Sequence, residues 1–195
     1  MKEVLVVLLC YLIGSIPFSY LFGRIFGKVD VRSRGSGNVG ATNVLRTTGV
    51  KVALLALAGD LFKGYFTAWL GFQMGGPVML VLCPFAAVCG HCCSVFLKFR
   101  GGKGVATAAG TILFLAPEIF LILLILLVLI VVFSGYVSLA SIIAASIFPI
   151  LVIAFDKSLA HIVVSILIAL TVIYKHRANI VRLRNGTEAK INEKA

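Results

Sequence analysis

Between Gly104 and Phe133 the chain reads GVATAAGTILFLAPEIFLILLILLVLIVVF, a run in which Glu118 is the only charged side chain. A helix that crosses a bilayer needs about 20 predominantly apolar residues, fewer where it is short or re-enters. The run is therefore one long crossing, or two short ones (104–116 and 118–133) parted at Pro117. The composition of the whole chain identifies its solvent. Of 195 residues, 61% are hydrophobic and 13% charged, with a mean hydropathy of +1.10. A soluble domain carries about 25% charged residues, so this chain has too little polar surface to cover a core in water. Disorder is excluded on the same ground, and no polar stretch is long enough for a separate soluble domain. Residues 1–195 read as a single membrane-embedded domain.

Five further apolar segments follow the same pattern: 3–26, 50–74 (interrupted by Gly59-Asp60 and Lys63-Gly64), 77–97, 136–154 and 159–174. The 18 Lys and Arg outnumber the 7 Asp and Glu, for a net charge of +11. Most of the basic residues cluster in Arg24 to Lys51, Lys98 to Lys103 and Lys175 to Lys194; Lys2 and Lys157 stand apart and Lys63 sits within an apolar run. Positive loops mark the cytoplasmic side. Seven crossings with the N-terminus outside place all three clusters there, whereas six would send the third across, so the run splits at Pro117. The expected fold is an all-α, polytopic helical bundle of about seven transmembrane helices, with a cytoplasmic C-terminus. A nucleic-acid partner is not expected, because so apolar a chain offers no soluble face for a duplex. Gly14-Ser15-Ile16-Pro17 continues into Tyr20-Leu21-Phe22-Gly23 without a cleavage site, so residues 3–26 read as a retained span and not a signal peptide. Cys89, His91, Cys92 and Cys93 lack a second ligand pair at zinc spacing, and no metal is expected.

Three polar segments do not look like connectors. Arg32 to Arg46 contains glycines at 35, 37 and 40 with Ser36, Asn38, Thr42 and Asn43 among them. The G-x-G-x-x-G spacing lacks the βαβ context of a dinucleotide site, but such glycines let backbone N–H groups converge on an anion, and Arg46 adds a planar fork suited to phosphate. Lys98 to Thr107 holds Gly101, Gly102, Lys103 and Gly104 just ahead of a helix; lacking the Ser or Thr after its lysine, it is no Walker loop, yet a glycine turn at a helix N-terminus still suits an anion. Lys175 to Glu188 sets His176, Asn179 and Leu183 on one face if the helix continues. Within the spans, Asp60 and Lys63 are spaced to neutralise one another, Ser138 and Ser141 either line a cavity or pack helices, and His91 is placed to brace the 98–104 loop. Two anion cradles beside acyl chains suit two phosphate-bearing substrates, one of them lipidic. With no Ser-His-Asp set, paired carboxylates or metal cluster evident, the chemistry should need little covalent help from the protein, and an already activated acyl donor would satisfy that.

The runs Gly14 to Pro17, Ser33 to Asn43, Gly59-Asp60 with Lys63-Gly64, Gly101 to Thr107 and His176 to Ile180 resemble the bacterial acyl-phosphate:glycerol-3-phosphate acyltransferase, or PlsY, family, in family order across residues 14 to 188. The resemblance implies a multi-pass enzyme of the bacterial inner membrane, with membrane lipid around it and an active site near the cytoplasmic face. It implies transfer of a fatty acyl group from acyl phosphate to the sn-1 hydroxyl of glycerol 3-phosphate, yielding lysophosphatidic acid and inorganic phosphate. Neither acyl-CoA nor acyl carrier protein serves as donor, no cofactor is needed, and the chain is taken as a monomer. By motif match it carries over Ser36 and Arg46, the Gly101 to Gly104 loop with Lys103, and His176, Asn179 and Glu188. Taken with the residue chemistry above, catalytic roles are expected for Ser36, Arg46, Lys103, His176 and Asn179, and substrate contacts from Gly35, Gly37, Asn38, Gly40, Thr42, Asn43, Gly101, Gly102, Gly104, Thr107 and Ser141. Asp60, Lys63 and Glu188 are support. Ala178 stands where many relatives carry an acidic residue, so no carboxylate at that position orients His176. The proton of the attacking hydroxyl passes either to His176 or to the substrate's own phosphate; the second is preferred, with His176 expected to bind an anion.

Overall fold

A computed structural model describes residues 1–193, so Lys194 of the third basic cluster lies outside the described residues. Among those residues the regular elements are all helical: α1 (Lys2–Ser15), α2 (Phe18–Ile25), α3 (Ala41–Thr48), α4 (Val50–Met74), α5 (Gly76–Cys92), a 3-10 turn at Val95–Leu97, α6 (Val105–Leu115), α7 (Pro117–Ser134), α8 (Val137–Ala154), α9 (Leu159–Lys175) and α10 (Arg177–Arg184).

The decisive run does divide at Pro117. Helix α6 stops at Leu115, Ala116 adopts a non-helical φ of −155°, and Pro117 opens α7. The missing N–H of proline costs nothing at a first helical position. Lys103, just before α6, reaches Asn179 on α10, whereas Glu118, at the start of α7, pairs with Lys157 in the α8–α9 turn. The two helices therefore form a hairpin between opposite ends of the bundle. Four segments are long and apolar enough to cross a membrane alone: Lys2–Ile25, Gly76–Leu97, Pro117–Ser134 and Val137–Ala154. The pair α9 and α10, bent by 55°, adds a fifth. The remaining two fall outside that measure for visible reasons. Helix α4 carries Lys51, Asp60 and Lys63. Helix α6 has 11 residues, about 16 Å at 1.5 Å per residue.

Residues 3–26, expected as one helix, break at Ile16-Pro17 into α1 and α2. The proline ring clashes with the carbonyl four residues back and biases its predecessor away from helix; Ile16 accordingly sits at φ −58°, ψ 116°. The break frees two carbonyls for side chains from elsewhere: Ser94 Oγ donates to Ser15 O at 2.6 Å and Lys63 Nζ to Ile16 O at 2.9 Å. Lipid offers no hydrophobic drive between helices, so close backbone approach through small residues joins them. A Cβ on Gly14 of α1 would lie 2.4 Å from Ala87 Cα of α5, and one on Gly64 of α4 only 1.9 Å from Thr107 O of α6. Val88, Ile112, Ile119, Phe148, Val164 and Ile168 fill the interior between α5 and α9, while Leu121, Leu124, Val128 and Val132 of α7 face outward.

Candidate active site

The second glycine segment is held from below by His91. Gly102 N donates to His91 O at 3.0 Å. A Cβ on Gly101 would lie 2.0 Å from that carbonyl, and one on Gly102 would lie 2.3 Å from His91 Nε2 and 2.4 Å from Val39 O. Gly102 is thus wedged between α5 and the first glycine loop. Gly104, at φ +86°, turns the chain into α6 in the left-handed region that suits glycine. The N–H groups of Lys103, Gly104, Val105 and Ala106 have no partner among the described residues, and the positive end of α6 lies there.

A chain of hydrogen bonds crosses above this turn. Lys103 Nζ donates to Asn179 Oδ1 at 2.7 Å, Asn179 Nδ2 to Glu188 Oε1 at 2.6 Å, and Arg182 Nε to Glu188 Oε2 at 2.7 Å. Burial pulls the Lys103 ammonium down to about 8; Glu188 opposes this, and the charges of Arg182 and Arg46 add to it. Burial would raise the Glu188 carboxyl, but Ser138, Asn179 and Arg182 together hold it below the usual range. His176, at the bend after α9, is buried and pushed down to about 4, mainly by desolvation and against the pull of its bond to Val172 O. That bond, Nδ1 to Val172 O at 2.8 Å, fixes the tautomer: a carbonyl only accepts, so Nδ1 carries the hydrogen and Nε2 presents a lone pair. Such an imidazole can accept a hydrogen bond from a hydroxyl. Arg46 joins from α3, donating Nη2 to Ala189 O (3.0 Å) and Lys190 O (2.9 Å), while its Nε is buried without a partner among the described residues.

The first glycine loop differs from the free cradle that its composition predicts. Asn43, 1% exposed, ties the loop together: its Nδ2 donates to Val31 O, Arg34 O and Asn38 O, and its Oδ1 accepts Ser36 N at 2.9 Å. Gly37 N bonds Arg34 O, Gly40 N bonds Asn38 O, and Asn38 N points at Ser36 Oγ. The N–H groups of Arg34, Gly35 and Val39, and those of Ala41 and Thr42 at the start of α3, are left without a partner among the described residues. Ser36 and Gly35 are exposed and Thr42 is half-buried; the hydrogen bonds of Ser36 stay within its own loop. The structure therefore gathers Arg46, Lys103, His176, Asn179 and Glu188, and leaves Ser36 on the adjoining loop.

Asp60 and Lys63 lie beneath, both 1% exposed and 2.7 Å apart. Ser19 Oγ donates to Asp60 Oδ2 at 3.0 Å and His91 Nδ1 lies 3.4 Å from Asp60 Oδ1, so one carboxylate joins α2, α4 and α5 under the glycine turn. Beside them is a cavity of about 10 Å³, lined also by Ser15, Ser94 and Gly102. On the other side an apolar groove of about 80 Å³ runs between α6, α7, α8 and α9. Its wall begins at Val105, two residues past Lys103, and at Val172, whose carbonyl holds His176; Ala108, Ala144, Phe148 and Ile168 continue it. Ser141 is on this wall with its hydroxyl bonded to Val137 O. Thr107 is buried against α4, and its Oγ has no partner among the described residues. No cluster of three His, Cys, Asp or Glu is placed to hold a metal ion among the described residues.

Fold and site together describe an all-helical integral membrane protein whose polar end, rich in cations and unpaired N–H groups, opens beside an apolar groove. The chain belongs to the glycerol-3-phosphate acyltransferase family, whose sequence pattern matches residues 4–186. It is 54% identical over 195 residues to the glycerol-3-phosphate acyltransferase of Syntrophomonas wolfei subsp. wolfei, all of both chains being covered. Over 191 residues it is 45% identical to glycerol-3-phosphate acyltransferase 2 of Moorella thermoacetica, with 98% of each chain covered. Two crystal structures of PlsY (YgiH), described as an integral membrane glycerol 3-phosphate acyltransferase, share the fold at 36% identity. The glycerol 3-phosphate form has a TM-score of 0.93 over 97% of this chain and 96% of that one; the lysophosphatidic acid form has 0.92 over 97% and 95%.

Arg182 had no clear signal in the sequence, because only the fold brings its Nε onto Glu188. Glu188, six residues further on, was the available hint.

Proposed function

We propose that this chain is a glycerol-3-phosphate acyltransferase that takes its acyl group from acyl phosphate, delivers it to the sn-1 hydroxyl, and releases lysophosphatidic acid and inorganic phosphate. The observation that carries the reading is the adjacency of Lys103 and the unpaired N–H groups of α6 to the head of the apolar groove. An anionic head and a fatty chain on one molecule fit that pair of environments. Acyl phosphate needs no carrier: neither acyl-CoA nor acyl carrier protein is a donor, and no cofactor takes part. The chain acts as one domain, a monomer crossing the bacterial inner membrane seven times with its N-terminus outside, and the site faces the cytoplasm, where the basic loops gather.

A mixed anhydride is already activated, so the protein's work is to hold two anions close and stabilise the charge that develops on the carbonyl oxygen. Lys103 and the N–H groups of α6 bind the leaving phosphate; Arg46 and Asn179 hold glycerol 3-phosphate, and Ser36 closes over the donor from the first loop. The acceptor oxygen attacks the acyl carbon, the carbon–oxygen bond to phosphate breaks, and phosphate departs as an anion. His176 Nε2 accepts a hydrogen bond from the acceptor's neighbouring sn-2 hydroxyl and so aims the molecule, leaving the one proton of the attacking hydroxyl free to move elsewhere. With His176 held near 4 and phosphate monoesters titrating near about 6, the acceptor's own phosphate is the stronger base and takes the proton.

Purified protein in detergent is assayed for phosphate release from palmitoyl phosphate, with and without glycerol 3-phosphate, with palmitoyl-CoA as control. Release that requires the acceptor and forms lysophosphatidic acid is expected. Acceptor-independent release, or acylation from palmitoyl-CoA alone, overturns the reading.

A further inference from the structure

The segment after α10 is anchored at both ends. Gly186, at φ +69°, reverses the chain; Thr187 N donates to Arg182 O and Ile191 N to Gly135 O between α7 and α8, each at 2.9 Å. Lys190 crosses Gly135 and brings its Nζ to 5.8 Å from the centre of the Tyr136 ring. Residues 187–191 thus form a strap across the site.

Two groups of the strap face residues assigned to the reaction. Glu188 receives Asn179 Nδ2 on one oxygen and Arg182 Nε on the other. An ammonium only donates and a carboxylate only accepts. Between Lys103 and Glu188, Asn179 can satisfy both neighbours in one amide orientation alone, oxygen toward Lys103. Arg182 keeps the carboxylate in place: its side chain is 42% exposed, that of Glu188 only 8%. One residue further on, the Ala189 and Lys190 carbonyls accept the same Nη2 of Arg46 across 143 and 144 residues of sequence. They leave Arg46 Nε, buried and unpartnered among the described residues, for an acceptor from outside the chain.

We propose that Arg182 and the 187–191 strap are positioning elements for acyl transfer. Arg182 acts through Glu188 to turn the Asn179 amide oxygen onto Lys103, and the strap carbonyls hold Arg46 with its Nε edge toward the phosphate of a substrate. Neither Arg182 nor the strap touches the reacting atoms. This rests on the acyltransferase reading, and acceptor-dependent phosphate release by the unaltered protein, run alongside, separates a failure of that reading from a failure of this one.

The test is a pair of double-variant cycles on the full chain, with slow variants followed by product accumulated over hours. Arg182→Gln is expected to lower kcat/KM about tenfold to a hundredfold, the range of a lost charge-assisted hydrogen bond, and Arg182→Lys to recover part of it. In an Asn179→Ala background Arg182→Gln should add less than about twofold, since coupled groups are not additive. Ile191→Pro removes the N–H given to Gly135 without altering Arg182; it should raise KM for a phosphate substrate, and should do so no further once Arg46 is Ala. Melting temperature in detergent is followed for each, and if Arg182→Gln loses its transition then Arg182→Lys and Ile191→Pro carry the test. Effects that multiply fully in both cycles overturn the proposal, as would folded Arg182 and Ile191 variants within about twofold of the unaltered kcat/KM.

Discussion

Replacing Gly102 by alanine should cripple the enzyme while leaving it folded. Its φ lies outside the left-handed region, so the penalty is steric: the new Cβ would sit 2.3 Å from His91 Nε2 and 2.4 Å from Val39 O, where carbon needs about 3.5 Å. Neither neighbour is free to yield. His91 is pinned by Asp60 at 3.4 Å and by the bond from Gly102 to its own carbonyl, and Val39 belongs to the loop stapled by Asn43. The glycine turn must therefore shift by about 1 Å, carrying Lys103 away from Asn179, and a misplacement of that size costs about a hundredfold in rate, or about 2.7 kcal/mol of transition-state stabilisation. The assay is acceptor-dependent phosphate release, fitted for kcat/KM in palmitoyl phosphate, with melting temperature measured beside it. Gly75→Ala is the control: that glycine lies at the far end with nothing within 4 Å and φ +73°, so alanine there should lower stability through strain, about 1–2 kcal/mol, and leave kcat/KM alone. Gly102→Ala within about threefold of the unaltered kcat/KM would refute the view that His91 sets the height of the turn.

Lys103, held near 8 by burial, should lose its charge above that pH, so kcat/KM for palmitoyl phosphate falls there; a bound phosphate raises the pKa, and the limb in kcat should lie higher. Because the unfolded lysine binds its proton up to about 10.4 and the folded one releases it near 8, the unfolded state holds more protons between these values. This group's contribution to stability therefore rises with pH in that window, as melting temperature can check in a Lys103→Met comparison. His176→Gln should retain partial turnover because its amide oxygen can still accept the hydroxyl, whereas His176→Ala should lose about tenfold to a hundredfold in kcat; abolished turnover in the Gln variant with unchanged glycerol 3-phosphate affinity would make His176 the base. Ala144→Phe should block the apolar groove, and at about 0.8 kcal/mol per buried methylene denying the pocket four methylenes lowers kcat/KM for palmitoyl relative to decanoyl phosphate by about two orders of magnitude. Asp60→Asn or Lys63→Met alone strands a buried charge and should cost about 3–5 kcal/mol in unfolding experiments, while Asp60→Leu with Lys63→Met should cost much less.

Much of the architecture was legible because hydropathy and helix length are local. Pro117 divides the decisive run where a ring without an N–H must fall at a helix start, and the segments 50–74 and 136–154 match α4 and the region of α8 closely. The exception, the break at Pro17, has a reason of the same kind, but its effect is not local: the freed Ser15 and Ile16 carbonyls are claimed by Ser94 and Lys63 from other helices. The candidate site was legible as a set of residues, less so as an arrangement. Both glycine segments promise the same cradle, yet the first turns the N–H groups of Ser36, Gly37 and Gly40 inward onto Asn43 and its own carbonyls, while the second leaves those of residues 103–106 together at the head of α6.

By itself, then, the sequence determined the solvent, the helical class, the placing of polar motifs at one end, and the family. These depend on summed apolar area and on residue order along one chain. Only tertiary structure decided what each polar group does. Asn43 and Asn179 are the same amide, but one is closed within its own loop and the other lies between Lys103 and Glu188. Arg46 and the 189–190 carbonyls meet across more than 140 residues. A hydrogen bond forms only within about 3 Å and a narrow range of angles, and distances of that kind between remote segments are set by how the helices pack.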